Sequence, residues 1–121
     1  MTDNFLADIG SVVFCQFPTE EGGKLAHYAL VVAFEEDLHG VTYTLAYGSS
    51  RKVSIDGHLP HEFVLAHDPE LRIAGLSRPT RFDLRKTRRF LARDFVVVGN
   101  IPMLSEVIHR LRLAALAAAS P

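Results

Sequence analysis

The chain has 121 residues, of which 48% are hydrophobic, enough to fill one core, so a single domain spanning residues 1–121 is expected. Thirteen Lys and Arg against fourteen Asp and Glu leave a net charge of −1, which excludes a protein drawn to a polyanion by bulk charge alone. The only cysteine, Cys15, excludes an intrachain disulfide or a cysteine metal cluster; no apolar run is long enough to span a bilayer.

The amino terminus, MTDNFLADIG, carries two acids and no long apolar run, unlike a secretory signal, so a cytoplasmic location is expected. Gly10 then opens SVVFCQF, a valine- and phenylalanine-rich run ending at Pro18 that predicts a strand buried on most of both faces. Within it Cys15 reads as a small buried hydrophobe and not as a nucleophile. TEEGGK makes a polar loop, and His27 to Phe34, centred on ALVVAF, predicts a second strand. After the acidic turn EEDLHG, VTYTLAY alternates β-branched and aromatic residues over a third strand ending at Gly48, which suggests an antiparallel meander.

Ser49 to His61 is polar and predicts a long loop, Glu62 to Ala66 a short strand, and Asp68-Pro69-Glu70 the start of one or two helical turns through Ile73. Thr80 to Leu84 alternates as a strand. From Arg72 to Arg93 eight cations accompany only Asp83, whereas the acids crowd the first third of the chain. The stretch around Arg85-Lys86 and Arg88-Arg89 is expected to be a solvated basic loop, or a basic face if the fold gathers it. Phe95 to Gly99 follows as a buried apolar strand. Pro102 suits a first helical turn, and Leu104, Val107, Ile108, Leu111, Ala115 and Ala118 then form one helical stripe. Leu113 and Leu116 lie off that stripe and suggest a dimer contact.

No P-loop, GxGxxG, HExxH or GxSxG motif is present. His58 and His61 have metal-like spacing without a fixed thiolate or carboxylate set, so exposed loop histidines are expected and no metal or cofactor is assigned. Two stretches can carry chemistry together. Lys24 to Tyr28 leads from a glycine-rich loop into a strand, and Tyr47-Gly48-Ser49-Ser50-Arg51-Lys52 ends a strand with a glycine, two hydroxyls and two cations. Glycine admits a ligand to the backbone, hydroxyls donate to phosphate oxygens, and Arg with Lys supplies charge, the chemistry of a phosphodiester site.

The order of these features is informative: a Gly-Ser-Val-Val start, an FP dipeptide, a Gly-Gly-Lys loop leading to Ala29-Leu30-Val31-Val32, a Tyr47-Gly48-Ser49-Ser50 turn, Ala74-Gly75-Leu76, and Pro79 to Leu84. Over residues 9 to 101 it resembles the PemK/MazF family of toxin endoribonucleases. The resemblance implies a mainly β fold, a small SH3-like barrel over about 9–101 with a C-terminal helix over about 103–119. It further implies a homodimer with single-stranded RNA bound across it, metal-independent cleavage, and an antitoxin protein that covers the RNA surface. Family members carry Arg-Pro before Ala-Leu-Val-Val where this chain has His27-Tyr28, so His27 stands in the place of the family's catalytic arginine. Ser49-Ser50 matches the usual Thr-Ser.

Histidine transfers protons near neutral pH but lacks arginine's permanently charged planar fork. The expected roles are therefore His27 as general base or acid, Ser49 and Ser50 on the scissile phosphate, and Lys24, Tyr28, Arg51, Lys52 and Arg81 on the RNA. The alternatives are a barrel of the same kind that has lost cleavage and binds RNA or protein, and a purely structural or inhibitory protein.

Overall fold

The computed structural model describes residues 7–121, so most of the amino-terminal stretch expected to be non-secretory, with Asp3, lies outside the described residues. Six strands follow in the order of the chain: β1 Ser11–Pro18, β2 Lys24–Asp37, β3 Gly40–Ser49, β4 Glu62–Leu65, β5 Thr80–Leu91 and β6 Phe95–Asn100. Helix α1, Asp68–Ala74, stands between β4 and β5, and helix α2, Ser105–Ala119, closes the chain. The strands form one sheet in the order β4-β5-β3-β2-β1-β6, with every neighbouring pair antiparallel. The mainly β architecture with a C-terminal helix is the expected one.

Alternation along the strands explains why their sequences are so apolar. Val12, Leu30 and Ala46 enter one buried cluster with Phe63, Phe82 and residues of both helices, while their neighbours Val13, Ala29, Val31 and Leu45 enter a second with Phe17 and Tyr43. Successive side chains point to opposite faces, so the central strands are apolar on both. Register shifts at Val12/Val13, Val31/Ala33 and Ala46/Tyr47 bend adjacent strands, as bulges do.

Four expectations are corrected. The basic stretch is not a loop: β5 continues through it to Leu91, pairing Arg88 and Arg89 with Leu45 and Thr44 of β3. Its side chains find partners outside a solvated turn, because Arg85 donates to the carbonyls of Ala117 and Ser120 at the end of α2, and Arg89 pairs with Glu35 at 2.7 Å. Strand β6 is exposed rather than buried, Val96 by 66%, because it is an edge strand with β1 on one side only. β1 is buried on both faces only at its start, and Phe14 and Gln16 then turn outward. Finally, α2 begins at Ser105, three residues beyond Pro102, and its inward stripe is Val107, Leu111, Ala114 and Ala118, leaving Leu104 and Ala115 exposed.

Helix α1 ends as glycine C-caps do. Gly75 has φ +73°, and the Leu76 amide donates to the Leu71 carbonyl at 2.8 Å. A Cβ on Gly75 would stand 2.3 Å from the Val98 carbonyl oxygen, so this turn lies directly against β6. That contact fixes where Leu76, Ser77 and Arg78 leave the helix, and these three residues line a cleft at one end of the sheet.

Candidate functional site

Ala29 of β2 pairs with Tyr47 of β3, and Ser49 of β3 with Arg81 of β5, so the start of β2, the end of β3 and the start of β5 gather at one end of the sheet. A cleft of about 510 Å³ opens there, lined by Phe14 of β1, Leu25 to Tyr28, Tyr47 to Arg51, and Leu76, Ser77, Arg78 and Thr80. Its lining holds two arginines, a histidine and several hydroxyls, and no aspartate or glutamate. Low-dielectric walls with one sign of charge concentrate an anion.

His27 is held from both sides. Its Nδ1 lies 3.2 Å from the Gly48 carbonyl oxygen and its Nε2 3.0 Å from the Tyr47 hydroxyl. A carbonyl only accepts, so in the neutral ring Nδ1 carries the proton and donates to it, and the Tyr47 hydroxyl donates to the Nε2 lone pair. Tyr47 is itself packed edge-on against Phe17 at 5.2 Å, and the Lys86 ammonium sits 4.1 Å from its ring centroid. The β3–β5 ladder steps here from Ala46↔Thr87 to Tyr47↔Asp83, so Leu84, Arg85 and Lys86 bulge out beside Tyr47. That bulge brings Lys86 to the ring.

Gly48 is required by space. A Cβ there would fall 2.6 Å from the Tyr28 carbonyl oxygen and 2.8 Å from the Phe82 ring. The strand passes close enough to offer its carbonyl to His27 only because no side chain intervenes.

Beyond Gly48, Ser49 is buried and its Oγ accepts the Arg51 amide at 3.1 Å, which turns the chain and leaves the hydroxyl hydrogen free to donate. Ser50 and Arg51 are exposed on the cleft wall, and Lys52 follows in the left-handed region at φ 53°. Thus five of the sequence-predicted residues, His27, Tyr28, Ser49, Ser50 and Arg51, line one cleft; Lys24, Lys52 and Arg81 are not among its lining residues. Arg81 spends its guanidinium on protein. It donates from Nε to the Arg51 carbonyl at 2.8 Å and pairs at 2.9 Å with Glu62, a buried carboxylate whose other oxygen accepts the Leu59 amide.

Sequence reasoning missed Tyr47, Ser77 and Arg78 as site residues. A signal for the last two exists: Ser50-Arg51 leaves β3 and Ser77-Arg78 precedes β5, the same dipeptide at abutting ends of paired strands. Tyr47 offers no such signal, because its partner lies twenty residues away.

The remaining candidates lie apart from the cleft. His58 is exposed, and His61 approaches Asp83 at 3.5 Å. Among the described residues no three His, Cys, Asp or Glu side chains converge as metal ligands would. Cys15 is buried, and burial pushes its thiol up to about 11. No described helix is long and apolar enough to cross a membrane.

This small bent antiparallel sheet with a terminal helix is the fold of the MazF toxins. The toxin MazF-mt6 of Mycobacterium tuberculosis matches with a TM-score of 0.60 and 17% identity, over 89% of this chain and 94% of that one. The MazE–MazF structure from Deinococcus radiodurans matches with a TM-score of 0.57 and 17% identity, over 93% and 94% respectively. A mycobacterial endoribonuclease matches at 0.61 and 11%, over 97% and 98%. No protein-family model matches the sequence, and no curated protein matches it. At these identities the likeness is one of fold, and function has to be argued from the cleft.

Proposed function

We propose that the protein is a metal-independent endoribonuclease that cleaves single-stranded RNA in the cleft between the start of β2 and the end of β3. The observation that carries this reading is the lining itself: a histidine–tyrosine pair, two arginines and four hydroxyl side chains of Ser and Thr, with no carboxylate to repel a phosphodiester. Attack by a 2′-hydroxyl on the neighbouring phosphorus needs a group to take a proton, a group to give one, and positive charge on the phosphorane oxygens. His27 supplies the proton transfer. Arg51 and Arg78 supply the charge that an arginine at position 27 would otherwise bring. Ser49 and Ser50 donate to the phosphate, and Ser77 shares the lining with them.

Phe14 and Tyr28 stand edge to face at 5.1 Å beside this phosphate position. An unpaired base can stack on such a pair, whereas a base inside a duplex cannot, which favours a single-stranded substrate. Lys24 and Lys52 extend the basic path along the RNA backbone on either side. The likeness to MazF toxins supports a homodimer and a cytoplasmic site of action, and the MazE–MazF neighbour supports an antitoxin as a protein partner.

A second reading, a barrel that binds RNA without cutting it, is favoured by one observation: both ring nitrogens of His27 already have partners within the protein. Incubation of the protein with a long single-stranded RNA in chelator separates the two. Discrete fragments ending in 2′,3′-cyclic phosphate support the nuclease. An intact RNA that still shifts in a gel supports the binding module, and an RNA neither cut nor bound refutes both.

A further inference from the structure

We infer that the phenol of Tyr47 is the group that meets the reacting 2′-hydroxyl, and that His27 acts behind it as a positioning residue and proton acceptor. The inference rests on the nuclease reading above and concerns how that site moves its proton.

Imidazole has two ring nitrogens, and both are committed: Nδ1 donates to the Gly48 carbonyl, and Nε2 accepts from Tyr47. The first bond fixes the tautomer, because the carbonyl cannot donate. His27 therefore has no free lone pair to offer a substrate while the pair is intact. Tyr47 does, since its oxygen donates once to His27 and keeps acceptor capacity. Tyr47 and His27 are both lining residues of the cleft that holds the two arginines, and the Tyr47 hydroxyl stands 3.0 Å from His27 there; Tyr47 also borders a smaller pocket with Lys86, Glu20 and Glu21.

The surroundings of Tyr47 hold its ring in place. The Lys86 ammonium lies 4.1 Å from the ring centroid, a cation over the ring face. Packing against Phe17 and His27, with ring centroids at 5.2 Å and 4.6 Å, holds the ring at a fixed angle.

In the step itself, the Tyr47 hydroxyl passes its proton to Nε2 of His27 as its oxygen takes the proton of the 2′-hydroxyl. The 2′-oxygen forms its bond to phosphorus with the electron pair it gains. The bond from phosphorus to the 5′-oxygen breaks, its electron pair stays on that oxygen, and a water molecule protonates it. The imidazolium of His27 then returns its Nε2 proton to the Tyr47 oxygen as the phenol gives its own proton to the resulting hydroxide, and the products are a 2′,3′-cyclic phosphate and a 5′-hydroxyl. Nδ1–H keeps its bond to Gly48 throughout.

Single-turnover cleavage of a single-stranded RNA in chelator, over a range of pH, tests the inference with Tyr47→Phe and His27→Gln beside the wild type. Tyr47→Phe removes one oxygen and should slow cleavage by roughly 10²–10⁴-fold, the usual size of a proton-transfer contribution, with RNA affinity unchanged. His27→Gln can still accept a hydrogen bond from the phenol but cannot take its proton, so the rise of rate with pH expected of the wild type should vanish. Nitrogen-15 spectra of the wild-type ring should show the proton on Nδ1, and in Tyr47→Phe they report whether the His27–Gly48 contact survives. If cleavage in Tyr47→Phe equals or exceeds that of wild type, His27 reaches the substrate itself; the inference is then overturned and the nuclease reading stands. A wild-type protein that leaves the RNA whole overturns the nuclease reading, and the inference with it.

Discussion

Replacing Gly48 by alanine tests the geometry of the site without touching a charged or titratable group. The added methyl would lie 2.6 Å from the Tyr28 carbonyl oxygen, 2.8 Å from Cε1 of Phe82 and 3.1 Å from its Cδ1. Real Cβ atoms do not approach backbone oxygen that closely, so something has to move. Phe82 is fully buried and packed in the main cluster, and the Tyr28 carbonyl belongs to the strand beside Gly48. Neither yields cheaply. Overpacking of this kind costs about 1–3 kcal/mol, and with backbone as one of the two obstacles about 2–3 kcal/mol is expected here. For a chain of this length each kcal/mol lowers Tm by roughly 3–5 °C, so Gly48→Ala should unfold roughly 6–15 °C below wild type in a calorimetric or circular-dichroism melt. Gly23→Ala is the control, because its Cβ would meet only Thr19 Oγ1 at an ordinary 3.5 Å, and its Tm should stay within about 2 °C of wild type. The same displacement should pull the Gly48 carbonyl away from His27, so ring nitrogen spectra should lose the fixed tautomer. An unchanged Tm with an unchanged tautomer would refute the claim that close approach at Gly48 builds the site.

Arg81→Ala should destabilise the fold by about 3 kcal/mol because it strands the buried carboxylate of Glu62, and it should leave the salt dependence of RNA binding unaltered. Arg51→Ala and Arg78→Ala, by contrast, should each reduce the salt slope by about one with little loss of stability; a reduced slope in Arg81→Ala would return that residue to the RNA surface. The folded protein should resist a thiol-disulfide reagent at pH 8 and release one reactive thiol on denaturation. Because the folded thiol titrates at about 11 against 9.0, the neutral form is favoured by folding, and the denaturation midpoint should fall as pH rises from 9 to 11. Leu113 and Leu116 are 52% and 68% exposed, so light scattering at micromolar concentration should give twice the chain mass and Leu116→Glu should shift it toward the monomer. A clean wild-type monomer would remove α2 as a dimer contact.

The strands β1 to β3 were legible because each is a β-branched or aromatic run stopped by glycine, proline or a charged turn, signals that depend only on neighbours in the chain. The second half of β5 was not. Its arginines read as solvent-seeking, and what keeps them in a strand lies far away in the chain: the ladder to β3, which sets Arg88 opposite Leu45 and Arg89 opposite Thr44. The burial of β6 failed for a related reason, since an apolar run does not announce whether a strand has one neighbour or two. At the site, His27, Ser49, Ser50 and Arg51 could be named from ordered motifs, and the fold brings them to one cleft. Arg81 reads as a cation for the RNA, because the Glu62 carboxylate that pairs with it lies nineteen residues away. Tyr47 heads one of the two stretches singled out in the sequence but has no role there, because its contact with His27 crosses two strands.

Strands β1, β2 and β3 send consecutive residues into two different buried clusters, and this changes what keeps them in register. In a sheet with one wet face, a slip by one residue throws every apolar side chain into water, and solvent forbids it. Here the same slip trades one dry environment for the other. Val12 for Val13 is an exchange of equals, whereas Leu30 for Ala29 and Leu45 for Ala46 leave a hole on one side and a surplus isopropyl group on the other. Discrimination between the true pairing and its shifted rival therefore rests on side-chain volume and on where the bulges fall. A refolding chain can reach the rival with nearly as much apolar surface hidden as in the native sheet, and it then has to break the ladder to escape. Equalising Leu30 and Ala29 as a pair of valines would remove much of that discrimination while hardly altering the hydrophobicity of the sequence.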